Sequence, residues 1–198
     1  MGQRAIRADY DERSLIVYQA YRPEIAEAAL HAGRFVEPFS LNRMTWIKPS
    51  FLWMMERCGW ASKPGQERVL AIRISRAGWE EALGQATLTT FEPALYGDFD
   101  AWQRSLELAP VRVQWDPERD LRGKPQERRA IQVGISRSLV PRYVNSWTLE
   151  ITDATPLAHA LRRLLDAGRA AEAQRRLPRE RIYPTPATLA RRLGLDED

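Results

Sequence analysis

The residues best suited to chemistry are grouped between positions 43 and 60, in the stretch RMTWIKPSFLWMMERCGW. This stretch holds three of the chain's seven Trp residues and three of its four Met residues. Pro49 is typical of a helix start, so Lys48 and Ser50 would stand at a helix N-terminus, where free N–H groups attract anions. With Arg43 five residues before Lys48, the pattern predicts a phosphate-binding site formed by these side chains.

Aromatic side chains near this cationic group are candidates for stacking on the ring of a ligand. Trp46 belongs to the same stretch, and Tyr18 and Tyr21 lie in and just after an apolar run upstream. Lys63, in the following loop, can close over the same ligand, although Lys-Pro-Gly is also an ordinary turn. The alternative is that the stretch is core only, since a helix over 50–58 would be apolar nearly all round and therefore buried.

A second group of candidates is acidic. The sequence WDPERD places Asp116, Glu118 and Asp120 directly after a predicted strand. Three carboxylates in this arrangement can hold Mg²⁺ or act as acid and base, and Glu118 or Glu150 is the candidate general base. Asp-Pro after a strand is also typical of a turn, and two neighbouring arginines can neutralise the group. The structural interpretation is favoured, and no metal site is predicted.

Several familiar sites are excluded by what the chain lacks. It has no G-x-x-x-x-G-K-[ST], G-x-G-x-x-G or G-x-S-x-G motif, which removes the main support for an ATPase, a Rossmann enzyme or an α/β-hydrolase. Cys58 is the only cysteine, and His31 and His159 are the only histidines, so an internal disulfide and a thiolate or His-rich metal site are excluded. The formal charge of +4 permits a phosphate-bearing partner without requiring one.

The hydrophobic pattern predicts the elements that must position these residues. Apolar runs that alternate or are rich in β-branched residues predict strands at 14–20, 68–75, 111–115, 130–135 and 147–152. Helical spacing predicts helices at 23–32, 50–58, 77–86, within 93–108, at 155–177 with a cap at Thr155 and a break at Gly168, and after Thr185-Pro186. Strands and helices are only partly interleaved, which favours an α+β fold over a doubly wound sheet.

The whole chain of 198 residues is expected to form one domain. We expect a mixed or antiparallel sheet of about five to six strands with flanking helices. The core would span about residues 4–185, with a short C-terminal helix and an acidic tail after it. No stretch has the apolar length of a secretory leader or a membrane span, so a cytoplasmic protein without a membrane partner is expected.

Six segments of the chain resemble a known family. RAIRADYD, VYQAY, RMTWIKPSFLWMM, PVRVQWDPERD, IQVG and ITDATPLAH are similar to the uncharacterised domain-of-unknown-function family 4291. The likeness spans roughly residues 4 to 185, and the long Trp-rich motif is specific. The family carries no established activity, so this resemblance implies kinship and not a reaction.

The segment IVYQAYRPEIAEAALHAGRF is similar to the opening of ADP-ribosyltransferase-like folds, which join a strand, a short link, a helix and a Gly. That resemblance implies NAD as a ligand, with RMTWIKPSFLWMM as a wall of the nicotinamide pocket and AIQVGI as the strand that usually bears the catalytic Glu. Gln19 or Tyr18 stands where such folds have His or Arg, and Gln132 stands near the expected Glu. The resemblance thus implies that Gln19 and Gln132 orient the sugar or the reacting centre.

Three functions are open from the sequence. The first is an enzyme or binder that acts on a nucleotide, NAD or nucleic-acid phosphate ligand, with an ADP-ribosyltransferase-like cleft. It requires Lys48 and Gln132 to lie on one face of the molecule. The second is a non-catalytic RNA- or DNA-binding protein, based on arginines at positions 162, 163, 169, 175, 176, 179 and 181. The third is an interaction module without a small-molecule site.

Overall fold

The computed structural model describes residues 4–196 as an irregular succession of strands and helices. The strands are β1 (Arg7–Ala8), β2 (Ser14–Tyr21), β3 (Thr45–Ile47), β4 (Arg68–Ser75), β5 (Ala86–Leu88), β6 (Val111–Arg119), β7 (Pro125–Ile135), β8 (Thr148–Asp153) and β9 (Arg181–Ile182). The helices are α1 (Pro23–Ala32), α2 (Phe51–Cys58), α3 (Arg76–Gly84), α4 (Pro93–Tyr96), α5 (Phe99–Leu108), α6 (Val140–Arg142), α7 (Thr155–Asp166), α8 (Ala170–Arg176) and α9 (Ala187–Leu193). A π-helical turn, Tyr143–Trp147, follows α6. Residues 1–3 and the last two residues of the predicted acidic tail lie outside the described range.

The strands are arranged in three sheets. One sheet has the strand order β2-β4-β8, a second has the order β3-β7-β6-β5, and β1 pairs with β9 as a two-stranded ribbon. The pairings between these strands are antiparallel, apart from the parallel pairing of β5 with β6. The predicted α+β fold is confirmed, with its strands divided among sheets of four, three and two strands where one sheet of about five to six was expected.

The two larger sheets meet at the backbone of Lys48. The N–H of Tyr18 in β2 donates to the Lys48 carbonyl at 2.7 Å, and the N–H of Lys48 donates back to the Tyr18 carbonyl at 3.2 Å. The preceding residue, Ile47, pairs with Val133 of β7. Lys48 therefore lies at the junction of the two sheets, with its main chain fixed by hydrogen bonds.

Alternation along β2 divides the interior into two cores, because successive side chains point to opposite faces of a strand. Leu15 and Val17 belong to the main core, which α1 and α3 cover. Ile16 and Tyr18 face the second core, which lies under α2 and α7. The short helix α2 thus packs on the sheet directly beside Lys48.

The strand predicted at 111–115 is longer than the sequence indicated. β6 continues through Asp116 and Pro117, whose partners in β7 are Ala130 and Arg129. The predicted turn at Asp-Pro is wrong, and the chain reverses over residues 120–124 instead. A register shift after Pro117 accommodates the residue that has no N–H to donate to the ladder.

Helix starts also differ from the prediction in detail. Pro49 lies before α2, and Ser50 is its N-cap residue, with a hydroxyl that accepts from the N–H of Trp53 at 3.1 Å. Thr155 does not cap α7, because its hydroxyl accepts from the N–H of Val69 at 2.9 Å. The C-terminal helix α9, which was expected to follow the core, contributes the fully buried Leu193 to it.

Candidate anion-binding cleft

A cleft of about 650 Å³ lies between the end of β2, the segment 38–44, β3 and α2. Four cationic side chains line it, namely Arg22, Arg43, Lys48 and Arg57. Tyr21, Phe39 and Trp46 contribute aromatic rings. None of the described residues in its lining is Asp or Glu, so the cleft presents positive charge that its own walls do not neutralise.

Another cavity, of about 500 Å³, lies between α2, α7 and the turn after β6. Its lining contains Glu56 and Asp166 as well as Arg122 and Arg162. Arg162 forms an ion pair with Asp166 at 2.9 Å. Because its charges are balanced within the chain, this cavity is a weaker candidate for an anion site.

Lys48 forms the floor of the cleft. The residue is only 7% exposed, and its Nζ donates to the Trp46 carbonyl at 3.4 Å. Across residues 4–196, it forms no ion pair with a carboxylate. Burial lowers the pKa of Lys48 to about 8, and the positive charge of Arg57 adds to this effect.

The arginines lie at the rim of the cleft. Arg43 and Arg57 are exposed, and neither forms an ion pair within the described part of the chain. Arg22 has Glu24 at 3.6 Å, but both side chains are more than half exposed. Such surface pairs exchange easily with solvent and with ligands. The rim therefore offers guanidinium groups that are available to an anion.

Gly134 of β7 determines the position of the Trp46 ring. Trp46 pairs with Gly134 across the sheet, and a Cβ atom at residue 134 would lie 2.9 Å from Cζ2 of the indole. The same Cβ atom would lie 3.0 Å from the sulfur of Met44. Since real Cβ atoms do not approach so closely, only glycine allows the indole to lie against the strand. A glycine inside the predicted strand 130–135 indicates that another group packs closely there, and the prediction from sequence did not use this signal.

Gln19 belongs to a buried hydrogen-bond network in the wall of the cleft. Its Nε2 donates to the Thr45 hydroxyl at 2.5 Å, and its Oε1 accepts from the Tyr143 hydroxyl at 2.7 Å. The Tyr21 hydroxyl lies 3.1 Å from the Thr45 hydroxyl. Burial raises the pKa values of both Tyr21 and Tyr143, so both hydroxyls keep their protons. These contacts occupy both ends of the Gln19 amide and make it a support for the wall.

Gln132 lies on the same face of the sheet as Lys48. Trp46 is paired with Gly134, and the positions two residues away from each, Lys48 and Gln132, share that face by alternation. Gln132 is buried, and its Nε2 donates to Asp116 Oδ2 at 2.7 Å. Gln114 donates to the other oxygen of the same carboxylate at 2.8 Å. Gln132 therefore shares a face of the sheet with Lys48, but it is not part of the cleft lining and does not meet Lys48 in the cleft.

The N-terminus of α2 differs from the predicted phosphate site. The N–H of Phe51 donates to Glu180 Oε1 at 2.7 Å, and the N–H of Trp53 donates to the Ser50 hydroxyl. Two of the N–H groups that were predicted to be free are therefore bonded within the chain, one to the carboxyl group of Glu180 and one to the Ser50 hydroxyl. Ser50 is a cap and does not line the cleft.

The remaining acidic candidates each bond to other groups of the chain. Glu118 is 4% exposed, and its Oε1 accepts from the N–H of Arg119. Asp120 accepts from two N–H groups in the turn after β6, and Glu150 forms an ion pair with Arg73 at 3.4 Å. Over residues 4–196, no three His, Cys, Asp or Glu side chains are grouped to hold a metal ion.

Two further predicted residues lie outside the cleft. Lys63 donates to the carbonyls of Glu56 and Arg57, at 3.3 and 2.8 Å, and so closes the C-terminal end of α2. Tyr18 packs edge-to-face on Phe51, with ring centroids 5.4 Å apart. Five predicted site residues line the cleft, namely Gln19, Tyr21, Arg43, Trp46 and Lys48, whereas Tyr18, Ser50, Lys63, Glu118 and Gln132 do not.

The fold and the cleft together define an α+β protein with a positively charged pocket at the junction of two sheets. The chain belongs to the family described as Domain of unknown function (DUF4291), whose model matches residues 5–183. The family resemblance is therefore confirmed. No curated protein matches the sequence. The likeness to ADP-ribosyltransferases is not shown by these comparisons and stays a prediction. Among the described helices, none is both long enough and apolar enough to cross a membrane.

Proposed function

We propose that the cleft binds a small ligand that carries a phosphate group and a planar ring, such as a nucleotide or NAD. The observation that carries this proposal is the concentration of four cations, without a carboxylate in the described lining, in one cleft of about 650 Å³. A volume of that size is ordinary for pockets that take small organic ligands.

The cationic side chains suit a phosphate because guanidinium groups lie at the rim of the cleft and an ammonium group lies on its floor. Arg43 and Arg57 at the rim present planar guanidinium groups, which grip phosphate with two parallel hydrogen bonds. Lys48 on the floor presents a point charge with two further N–H donors beyond the one directed at Trp46. An anion in the cleft would relieve the repulsion between Lys48 and Arg57.

The aromatic side chains suit the ring of the same ligand. Trp46 and Tyr21 are both partly exposed and line the cleft beside the cations. Stacking of a base on such a ring contributes about 1–3 kcal/mol and tolerates different bases. The proposal therefore assigns the ring to this wall and the phosphate to the rim and floor.

A nucleic-acid surface has less support. Arg162 pairs with Asp166 and Arg169 pairs with Glu172, so two of the arginines on which that hypothesis depends have a carboxylate of the chain that competes with a nucleic-acid phosphate. Arg181 stacks over the Tyr10 ring, with its guanidinium carbon 4.2 Å from the ring centroid. The observations favour a small ligand in the cleft over a polynucleotide along the C-terminal helices.

Isothermal titration calorimetry with AMP, ATP and NAD tests the proposal, with adenosine as the ligand that lacks phosphate. We expect binding that requires phosphate and weakens about tenfold or more in Lys48→Ala, because a hydrogen bond to a charged group is lost. Lys124→Ala is the matched control, since Lys124 is an exposed lysine in the turn between β6 and β7.

Three results would contradict the proposal. Equal affinity for adenosine and AMP would show that phosphate is not recognised. An equal loss of affinity in Lys48→Ala and Lys124→Ala would assign binding to overall charge instead of the cleft. A lack of heat with every ligand would favour the interaction module.

A further inference from the structure

We propose that Lys48 forms a reversible imine with an aldehyde or ketone that also carries phosphate. This proposal rests on the anion-binding function of the cleft and names the class of ligand that would react there. It makes Lys48 a covalent partner of the ligand, where the proposed function requires only charge.

The first support is the position of the Lys48 amine. It lies on the cleft floor, and one carbonyl at 3.4 Å, that of Trp46, is its hydrogen-bond partner. No ion pair with a carboxylate of residues 4–196 holds it. The chain has two other lysines. Lys63 is bonded to two helix carbonyls, and Lys124 is exposed on a turn.

The second support is the protonation state, since only a neutral amine attacks a carbonyl carbon. Burial and the nearby Arg57 lower the pKa of Lys48 from 10.5 to about 8, although Cys58 and Asp116 act in the opposite direction. At pH 7 this gives about two orders of magnitude more neutral amine than an ordinary lysine has. Desolvation is a known way to activate a lysine for this chemistry.

The third support is the separation of functions within the cleft. The rim arginines, Arg43 and Arg57, can hold the phosphate while the carbonyl reaches the amine on the floor. The Lys48 main chain is bonded to Tyr18 on one side, and the adjacent Ile47 pairs with Val133 on the other. A fixed main chain limits the motion of the nucleophile, which is the usual requirement for an oriented attack.

The reaction needs no oxidant or further reactant. The lone pair of Lys48 Nζ adds to the carbonyl carbon, and a proton passes from nitrogen to the carbonyl oxygen to give a carbinolamine. Loss of water, made of that oxygen and the two amine hydrogens, then gives the C=N bond. The reverse addition of water releases the ligand and restores the amine.

Reductive trapping tests the proposal with pyridoxal 5′-phosphate as the aldehyde probe. The intact protein is incubated with the probe at pH 7.5, reduced with cyanoborohydride and mapped by peptide mass spectrometry. We expect the adduct on Lys48 to exceed the adducts on Lys63 and Lys124 at least tenfold. Excess inorganic phosphate should suppress the Lys48 adduct while leaving the other two unchanged.

Pyridoxine 5′-phosphate, the alcohol that cannot form an imine, separates this proposal from the proposed function. We expect it to bind to the wild-type protein without forming an adduct. Binding of this alcohol without a preferred adduct on Lys48 would overturn the imine and leave the anion-binding function standing. Equal labelling of all three lysines would also overturn it. Absence of binding by the alcohol and by AMP would instead remove the proposed function.

Discussion

Lys48 and Glu180 are two ionisable side chains near the start of α2, and they differ in the partners that the chain gives them. Glu180 comes from the segment after α8 and accepts from the N–H of Phe51 at 2.7 Å. Lys48 faces the cleft, where its partner is the Trp46 carbonyl at 3.4 Å and its charged neighbour is Arg57. Burial moves the pKa of each to about 8, from opposite directions.

The contrast between Lys48 and Glu180 separates an ionisable group that supports the fold from one that is available to a ligand. The helix N-terminus has free N–H donors that need an acceptor, and the chain supplies that acceptor itself through the carboxyl group of Glu180. The cleft is also an anion site, but no described residue in its lining supplies a carboxylate. A site that the chain itself satisfies supports the fold, and a site that it does not satisfy is the better candidate for a ligand.

The largest expected effect is on the pH dependence of the unfolding free energy, to which Lys48 and Glu180 contribute with opposite signs. The pKa of Lys48 is lowered from 10.5 to about 8, so the stability contributed by its neutral form is present above pH 10.5 and is lost as the pH falls to 8. The unfolding free energy of the wild type minus that of Lys48→Met should therefore rise between pH 8 and 10.5, on the order of 3 kcal/mol.

Glu180 should show the reverse sign. Its pKa is raised from 4.5 to about 8, so its contribution is present below pH 4.5 and is lost as the pH rises to 8. The unfolding free energy of the wild type minus that of Glu180→Gln should therefore fall between pH 4.5 and 8. Urea unfolding at intervals of half a pH unit measures both differences. Two flat or parallel profiles would show that the surroundings of the two groups are not distinct.

A smaller effect is expected from Gln19→Met, which removes the amide from the network in the cleft wall. The hydroxyls of Thr45 and Tyr143 would lose a partner, and the unfolding free energy should fall by about 1–3 kcal/mol. Gln126→Met is the control, since Gln126 bonds only to nearby carbonyls on an exposed strand end. Unchanged stability together with a lost affinity for AMP would assign Gln19 to the ligand instead of the wall.

The smallest effect is expected from Lys63→Ala, which concerns the other end of α2. Loss of the bonds to the carbonyls of Glu56 and Arg57 should cost about 0.3–1 kcal/mol, the usual value of a cation at an exposed helix C-terminus. Affinity for AMP should match that of Lys124→Ala in calorimetry. A tenfold loss of affinity for AMP in Lys63→Ala would instead indicate that Lys63 takes part in ligand binding, as Lys48 does.

The sequence predicted those parts of the fold whose pattern is long enough to show a period. All five predicted strands exist, because runs of five or more residues reveal alternation. The strands β3 and β5 have three residues each, which is too short for any pattern, and they were missed. The prediction ended β6 at Trp115 because Asp-Pro is usually found in turns. In the structure, pairing with the long β7 keeps this dipeptide extended.

The candidate site was predictable where its residues are close in sequence. Arg43, Trp46 and Lys48 lie on and beside one strand, so their types and spacing indicated a common surface. Glu180 comes 129 residues after the N–H that it accepts from, and nothing in its own segment marks it as the cap of α2. The predicted helix 50–58 included Arg57. Its place in the cleft lining could not be predicted, because it depends on how that helix packs on the sheet.

The same long-range contacts have a consequence for how the chain folds. The N–H of Arg4 donates to Asp196, the Tyr10 hydroxyl donates to the carbonyl of Ile182, and β1 pairs with β9. Contacts between residues so distant in sequence are reached slowly, because the loop between them must close first. During synthesis, the N-terminal ribbon and the start of α2 must therefore wait for the segment near residue 180 before their hydrogen bonds can form.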